Sequence, residues 1–205
     1  MIDAARGHSS ATLLEAARAA VDVDAEIQAA WPGARLVGPA FTVQGAGGDN
    51  LALHLAVVKA GPGDVLVVDA GAAPHGHWGE ILTVAAQERG IRGLLIDGGV
   101  RDKREVGELG FPVFSRRNAI RGTRKHFSGV FGRAVRVGGR AICPGDLIVG
   151  DADGVVAIPQ ADVARVLDAA DRRVAEEADF LARLRNGERT IDVYPFGEPY
   201  RGLHE

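Results

Sequence analysis

Two apolar runs separated by an amphipathic segment constrain the fold of this chain more than any other feature. The runs are GDVLVVDA at 63–70 and IRGLLIDG at 91–98. Continuous apolar stretches of this length are typical of strands that are covered on both faces. Between them, EILTVAAQERG at 80–90 has helical spacing and ends at a glycine. This order predicts a βαβ unit with a parallel sheet and a right-handed crossover.

The other elements follow from shorter patterns, and together they predict one α/β domain over 1–205. Helices are expected from Ser10 to Ala20 behind Ser9 and Ser10 as N-caps, at 50–61 and around Arg104 to Leu109. The C-terminal helix is expected at about 161–184 and is followed by an extended tail at 186–205. A glycine-rich loop is predicted at 71–79, and the remaining strands at 34–45 (interrupted at Gly38-Pro39), at 111–116 and, as short segments, at 134–159.

Composition excludes several classes of function. Hydrophobic residues make up 46%, charged residues 25%, and the net charge is −3, as in ordinary globular domains. No basic stripe points to nucleic acid, and no apolar run approaches the roughly 20 residues that span a bilayer. The N-terminal 20 residues are too charged for a signal peptide, so a cytoplasmic location is expected. Cys143 is the single cysteine, which excludes an intrachain disulfide and favours a structural role.

Lysine is scarce in this chain. Of 24 basic residues only Lys59, Lys103 and Lys125 are lysines, which leaves 21 arginines. An enzyme that forms a Schiff base needs a lysine kept neutral by burial. Few candidates therefore exist for that chemistry.

Two loops should meet where the strands of the βαβ unit end, because open α/β sheets bind ligands in the crevice at the carboxyl ends of their strands. The first loop enters the helix that begins with Gly79, Glu80, Ile81 and Leu82. Backbone N–H groups in a first helical turn lack intrahelical partners and can hold an anion. The alternative is an ordinary loop entering a helix.

The second loop, DGGVRDKRE at 97–105, places Arg101 and Asp102 side by side after the buried strand. Arg101 offers a planar fork for a carboxylate. Asp102 offers hard oxygens for Mg²⁺ or Mn²⁺. A 2-oxo acid can engage both, with its carboxylate on Arg101 and its keto oxygen on a metal held by Asp102. The alternative is a surface charge pair at the start of a solvated helix.

Both loops also carry the motifs of a known family. GEIL at 79–82 and RDKRE at 101–105, in which Arg101 follows Gly79 by 22 positions, resemble the signature of RraA-like proteins. That family includes divalent-metal aldolases of 4-hydroxy-4-methyl-2-oxoglutarate and 4-carboxy-4-hydroxy-2-oxoadipate, some of which decarboxylate oxaloacetate, and regulators of ribonuclease E. The resemblance continues through segments at 38–43, 63–71, 90–102 and 137–159.

The resemblance implies a role for each matching residue. Arg101 is expected to be catalytic and to bind the pyruvyl carboxylate and keto oxygen. Asp102 is expected to be catalytic as well and to ligate Mg²⁺, with Glu105 as a weaker or outer metal residue. The amides of Gly79 to Leu82 form the carboxylate cradle, and Glu80 lies beside the water shell of the metal. The implied fold is a three-layer β/β/α arrangement of the swivelling-domain type, assembled as homotrimers or homohexamers with sites at subunit interfaces.

The expected function is therefore a metal-dependent aldolase that releases pyruvate from 4-hydroxy-2-oxo acids and that can also decarboxylate oxaloacetate. Both reactions pass through a pyruvate enolate, whose charge a divalent cation and Arg101 stabilise. The alternative is a non-catalytic, protein-binding regulator on the same scaffold. The presence of Arg101, Asp102 and Glu105 together favours catalysis.

The sequence leaves the roles of several further residues open. His75 and His77 form an H-x-H pair that suits either a metal or two exposed turn residues. Glu176 and Glu177, on the C-terminal helix, are candidates to reach the metal waters of a neighbouring subunit. DADG at 151–154 imitates the start of a calcium loop but lacks the remaining ligands, so a turn is expected there.

Overall fold

The computed structural model describes residues 2–16 and 20–194 of the chain. Its helices are α1 (Ile2–Ala5), α2 (Ser10–Ala16), α3 (Leu51–Lys59), α4 (Glu80–Glu88), α5 (Lys103–Glu108), α6 (Val163–Arg185, after a 3₁₀ turn at Gln160–Asp162) and α7 (Thr190–Val193). Its strands are β1 (Val21–Asp22), β2 (Gln28–Ala29), β3 (Leu36–Gln44), β4 (Val65–Trp78), β5 (Gly93–Val100), β6 (Val113–Asn118), β7 (Val130–Phe131), β8 (Val135–Val137), β9 (Arg140–Ile142), β10 (Leu147–Gly150) and β11 (Val155–Ile158).

The predicted βαβ unit is formed by β4, α4 and β5. β4 and β5 pair in parallel from Val65 opposite Gly93 to Asp69 opposite Asp97, and β6 adds to the other side of β5 in the same direction. The full strand order is β1-β11-β10-β3-β4-β5-β6-β2, with β7 also paired to β3. β3 to β6 thus form a parallel half of the sheet with β2 added antiparallel at its edge, and β10, β11 and β1 form the antiparallel half.

β3 joins these two halves. Its first part, Leu36 to Pro39, pairs antiparallel with β10, and its second part, Ala40 to Gln44, pairs parallel with β4. The predicted interruption at Gly38-Pro39 is therefore wrong, since the strand runs through both residues. Glycine fits at position 38 because a Cβ there would lie 2.9 Å from the carbonyl oxygen of Gly63.

Alternating faces of the strands build the layers of the predicted β/β/α fold. On one face of the parallel strands, Leu66 and Ile96 pack with α3, α4 and α5. On the other face, Val67 and Leu95 pack against the antiparallel strands β8 to β11. A further cluster packs α1, α2 and α6 on the outer side of β10 and β11. The terminal helices thus cover the strand layer that would otherwise face solvent.

The glycine-rich loop predicted at 71–79 is an irregular strand up to Trp78. β4 stays paired with β5, but the ten residues from 69 to 78 lie opposite only the four residues from 97 to 100, through three register shifts. Gly71 and Ala72 adopt positive φ angles of 63° and 53° where the strand bulges. The apolar pattern ends at Ala70, so no sequence period reveals this continued pairing.

The ends of the chain agree with the prediction in part. Ser9 Oγ accepts a hydrogen bond from the Thr12 N–H at 3.0 Å, as expected for a cap of α2, while residues 17–19 of the predicted helix lie outside the described residues. The predicted extended tail contains the helical turn α7, where Tyr194 packs on Phe180 with ring centroids 5.0 Å apart. The tail prediction for 195–205 lies outside the described residues.

Within the described ranges 2–16 and 20–194, none of the helices combines the length and apolar character needed to cross a bilayer.

Candidate active site

The carboxyl ends of β4 and β5 bring Gly79, Arg101 and Asp102 together, as the sequence predicts. The Arg101 N–H donates to the Trp78 carbonyl at 2.9 Å, which fixes the two strand ends side by side. A cavity of about 280 Å³ opens at this point. Its lining includes Gly79, Ile81, Leu82, Arg101 and Asp102.

The Asp102 carboxylate lies against the start of α4. Its Oδ2 accepts a hydrogen bond from the Glu80 N–H at 3.1 Å, where the positive end of the helix dipole favours a negative charge. Asp102 has φ 55° and ψ 39°, the left-handed conformation, which Asp tolerates better than most residues. The side chain keeps 36% of its surface exposed, so it remains accessible from the cavity.

Gly79 makes this arrangement possible because it has no side chain. A Cβ at position 79 would fall well inside 3.0 Å of Asp102 Oδ2 and 3.1 Å from Arg101 Cγ. The motif glycine is therefore required by the close approach of Asp102, and its own φ of −163° is ordinary extended backbone. The Glu80 N–H is already used by Asp102. The N–H groups of Ile81 and Leu82, in the same first turn, remain available to an anionic ligand.

Arg101 crosses the surface of Gly76, where a Cβ would lie 3.1 Å from Arg101 Cδ. Its Nε lies 3.5 Å from Asp102 Oδ2, and 45% of the side chain is exposed. At this distance the two groups are close enough to attract but are not locked in a bidentate pair. The guanidinium thus keeps donors for a ligand that reaches Asp102 at the same time.

The donor set fits a hydrated divalent cation. Of the residues that the structure describes, no group of three or more His, Cys, Asp or Glu side chains could hold a metal. Mg²⁺ commonly keeps several waters and binds through one or two carboxylates plus its substrate. Asp102 supplies one such carboxylate, and Glu80 lies exposed at the same helix start.

Glu105 is directed into a different interaction. Its Oε1 accepts a hydrogen bond from Arg104 Nη2 at 2.8 Å, and this contact holds the pKa of Glu105 below its usual value. Glu105 is absent from the cavity lining. Its weaker metal role stays a prediction that the geometry of the single chain does not support.

The cavity lining also includes residues that were not identified from the sequence, among them Asn50 at the N-cap of α3, His54 of α3, and Lys125 of the segment between β6 and β7. Burial, and then the charge of Lys125, lower the pKa of His54. Asn50 Nδ2 donates to the His77 carbonyl at 3.0 Å. The buried Oδ1 of Asn50 has no hydrogen-bond partner in the described part of the chain. The lining therefore adds polar groups and the positive charge of Lys125 to the cavity that holds Asp102.

Hydrogen bonds connect the Lys125 segment, residues 122–126, to the residues that precede α3. The Asn50 N–H donates to the Arg124 carbonyl at 3.0 Å, and the His126 N–H donates to Asp49 Oδ2 at 2.7 Å. Burial alone would raise the pKa of Asp49, but the N–H groups of Leu51 and His126 outweigh it and lower the pKa. The sequence of this segment has no helical or strand period. Its position beside the cavity therefore depends on hydrogen bonds between residues far apart in the sequence, which a local pattern does not predict.

The two histidines of the H-x-H pair are not two exposed turn residues. His77 is fully buried, and its Nε2 accepts from the Gly48 N–H at 3.1 Å while Nδ1 lies 3.4 Å from the Gly99 carbonyl. Burial lowers the pKa of His77, so the neutral ring is favoured. The ring joins two backbone segments and has no nitrogen left for a metal. His75 is half-buried beside it, with ring centroids 6.0 Å apart.

The remaining candidates lie elsewhere in this chain. Glu176 and Glu177 are on α6, and Glu177 pairs with Arg173 at 2.8 Å. Lys103 lines a separate cavity of about 480 Å³ beside Trp31. Asp151 of DADG accepts from Ser10 Oγ at 2.6 Å and from the Asp153 N–H at 3.1 Å, as expected for a turn.

The fold is a β/β/α fold, and the cavity with Arg101 and Asp102 lies at the carboxyl ends of two of its parallel strands. The chain belongs to the RraA-like family, described as Aldolase/RraA, whose family model matches residues 10–157.

Relatives of both functional classes are similar to the chain. A Halalkalibacterium halodurans protein named "Putative 4-hydroxy-4-methyl-2-oxoglutarate aldolase" is 43% identical over 144 residues, 70% of this chain and 69% of that protein. The crystal structure of an uncharacterized protein from Pseudomonas syringae is 28% identical with a TM-score of 0.84, covering 94% of this chain and 91% of that one. RraAS2 of Streptomyces coelicolor, described as an unusual member of the RNase ES inhibitor RraA family, is 28% identical with a TM-score of 0.75, covering 89% and 94%.

Proposed function

We propose that this protein is a divalent-metal-dependent aldolase that releases pyruvate from 4-hydroxy-2-oxo acids of the 4-hydroxy-4-methyl-2-oxoglutarate type, with oxaloacetate decarboxylation as a second activity. One observation carries the proposal: Arg101 and Asp102 face one cavity at the start of α4, and Gly79 lets the Asp102 carboxylate approach the helix. The similarity to proteins named as aldolases supports the same chemistry.

The substrate carboxylate is expected between Arg101 and the N–H groups of Ile81 and Leu82. Arg101 then lies beside the keto oxygen, where negative charge develops. Lys125 lines the same cavity and offers a positive charge for the distal carboxylate of a dicarboxylic substrate, with His54 beside it as a neutral hydrogen-bond donor. A substrate held at both ends keeps the bond to be broken in one orientation.

A divalent cation at Asp102, Mg²⁺ or Mn²⁺ or another of this class, would supply Lewis acidity at the keto and carboxylate oxygens. In the cleavage, the C4 hydroxyl loses its proton, the C3–C4 bond breaks, and its electron pair enters the keto group to form the pyruvate enolate. Loss of CO₂ from oxaloacetate gives the same enolate. Arg101 stabilises that oxyanion in both reactions, and protonation at C3 completes pyruvate.

We further propose a homotrimer or homohexamer that acts in the cytoplasm on a small 2-oxo acid. Two large apolar side chains are strongly exposed: Ile81, which lines the cavity, is 77% exposed on α4, and Ile120, five residues before Lys125 in the sequence, is 92% exposed. Exposed apolar groups in one region are typical of protein interfaces. A neighbouring subunit would cover them and could bring Glu176 or Glu177 towards the site.

The test is pyruvate release from 4-hydroxy-4-methyl-2-oxoglutarate and from oxaloacetate, with Mg²⁺ and then with a chelator. We expect turnover that requires the metal, that is abolished in Asp102→Asn, and that persists in the matched variant Glu105→Gln. Turnover that survives chelation would refute the metal role.

The regulator function is the second candidate, favoured by the similarity to the Streptomyces RNase ES inhibitor family. It predicts no turnover of either acid and a stable complex with a ribonuclease. Measuring both in one protein preparation separates the two functions.

A further inference from the structure

A second cavity, distinct from the candidate active site, is lined by three arginines. Arg6, Arg35 and Arg92 surround about 340 Å³ together with Val37 and Pro112. No carboxylate contributes to this lining. The three guanidiniums come from separate parts of the sequence, so the fold assembles the charge.

Two of these arginines form no ion pair within the described part of the chain. Neither Arg6 nor Arg92 pairs with a carboxylate among the residues that the structure describes, and Arg92 Nη1 has only a long contact of 3.5 Å to the Val37 carbonyl. Arg35 is partly compensated, because its Nη1 lies 3.5 Å from Asp151 Oδ2. Like charges that converge on one concave surface repel, and a bound anion would remove that cost.

Arg35 differs from the other two in also holding the backbone. Its Nη2 donates to the carbonyls of Arg6 at 2.8 Å and His8 at 2.5 Å, and so ties the segment after α1 to the start of β3. This position keeps the side chain of Arg35 beside the cavity. Arg6 and Arg92 are therefore the residues whose charge can be removed without breaking a hydrogen bond of normal length.

The cavity lies at the opposite end of the parallel strands from the candidate active site. Arg92 immediately precedes β5 and Pro112 immediately precedes β6, whereas Arg101 follows the end of β5. Eight strand residues separate the two ends, which corresponds to roughly 25 Å. A ligand in this cavity cannot be the 2-oxo acid held by Arg101.

We infer that this cavity, which we name the three-arginine cavity, binds the phosphate group of a small molecule. Planar guanidinium forks match the oxygens of phosphate, and several arginines around one concave space suit a dianion better than a single carboxylate. The small volume and the confinement of the charge to three arginines favour a compact ligand over an extended nucleic-acid backbone, which would need a continuous basic track. A bound phosphate would bridge the N-terminal segment and the sheet, and so stabilise the folded state.

The test is calorimetric titration of the full chain with inorganic phosphate and with phenyl phosphate, at constant ionic strength set with chloride. The variants are Arg6→Gln, the double variant Arg6→Gln/Arg92→Gln, and Arg101→Gln. Arg133→Gln is the matched control, because Arg133 is exposed and lines neither cavity. Thermal unfolding without ligand verifies that each variant is folded.

We expect Kd for phosphate to rise at least about tenfold in the double variant and about threefold in Arg6→Gln. It should stay within about twofold in Arg101→Gln and Arg133→Gln. Tighter binding of phenyl phosphate assigns the site to an organic phosphate, and equal binding assigns it to the phosphate group alone.

Three results would overturn the inference. One is loss of binding in Arg101→Gln with retention in the double variant, which would place the anion in the candidate active site. Another is failure of the wild type to bind phosphate at millimolar concentration. The third is tighter binding of a short single-stranded RNA than of either phosphate compound. None of these measurements depends on aldolase activity, so the inference can fail while the proposed function stands.

Discussion

Replacing Gly79 with alanine tests the geometry of the candidate active site most directly. The added methyl would lie well inside 3.0 Å of Asp102 Oδ2 and 3.1 Å from Asp102 Cγ and Arg101 Cγ. Atoms in ordinary contact lie at 3.4–4 Å, so the Asp102 carboxylate must move by on the order of 1 Å. That movement breaks its hydrogen bond to the Glu80 N–H and displaces any cation it holds.

A displacement of this size in a catalytic group costs roughly a hundredfold in rate. We therefore expect kcat/KM for pyruvate release to fall about a hundredfold in Gly79→Ala, equivalent to about 2.7 kcal/mol of transition-state stabilisation. Stability should change much less, because the Asp102 side chain is partly exposed and can rotate outward. We expect a loss of about 1 kcal/mol, at the low end of the cost of overpacking.

Gly61→Ala is the matched control, because a Cβ there meets only Asp64 Oδ2 at 3.6 Å and Gly61 has an ordinary φ. Steady-state kinetics at saturating Mg²⁺ and denaturant unfolding should be measured on both variants. If Gly79→Ala retains kcat/KM within twofold of Gly61→Ala, the close approach of Asp102 to α4 is not the working geometry and the assignment of the site fails.

Three further predictions concern charge and burial. Lys125→Gln should raise KM for a dicarboxylic 2-oxo acid about tenfold with a smaller change in kcat, which initial-rate kinetics would show; an unchanged KM would remove Lys125 from substrate binding. Arg116→Met should destabilise the fold by about 3–5 kcal/mol in urea unfolding, because Arg116 Nε donates to the buried Asp97 at 2.6 Å and the substitution leaves that carboxylate unpaired. The control is Arg117→Met at the exposed neighbouring residue, which should cost under about 0.5 kcal/mol. Similar costs for the two variants would contradict the buried pair. The lowered pKa of His77 means that the unfolded chain binds a proton more readily than the folded one, so the stability contribution of neutral His77 should be lost as pH falls below about 6.5. His77→Gln should flatten that dependence in unfolding measured at pH 5 to 8, and an unaltered slope would show that another group causes it.

The sequence predicts the parts of the fold that depend on local periodicity. The β4–α4–β5 unit, α3 and the short strands β8 to β11 are present close to their expected positions. Each has a clear apolar period or a glycine at its end, so local pattern and fold agree there. Pairing beyond Ala70 in β4 depends on bulges opposite β5, and no local pattern encodes that choice.

The residues of the candidate site also differ in whether the sequence could predict them. Gly79, Arg101 and Asp102 were predictable because motif residues lie directly at strand and helix ends, where topology fixes their location. Lys125 and Asn50 were not, because their approach to the cavity depends on hydrogen bonds between residues 48–50 and 124–126 that are far apart in sequence. The metal role of Glu105 stays a prediction from the motif alone, and in the single chain the neighbouring Arg104 competes for its carboxylate.

The left-handed backbone at position 102 also limits how this family can change. Only glycine, asparagine and aspartate adopt that conformation at little cost. Homologues that keep this loop conformation can therefore replace the aspartate mainly by glycine or asparagine, neither of which carries a negative charge. Lengthening the acid to glutamate is disfavoured by the same dihedral angles. The metal chemistry proposed for Asp102 should thus be lost in a single substitution, and homologues with Asn or Gly at this position are the ones to test first for functions other than catalysis.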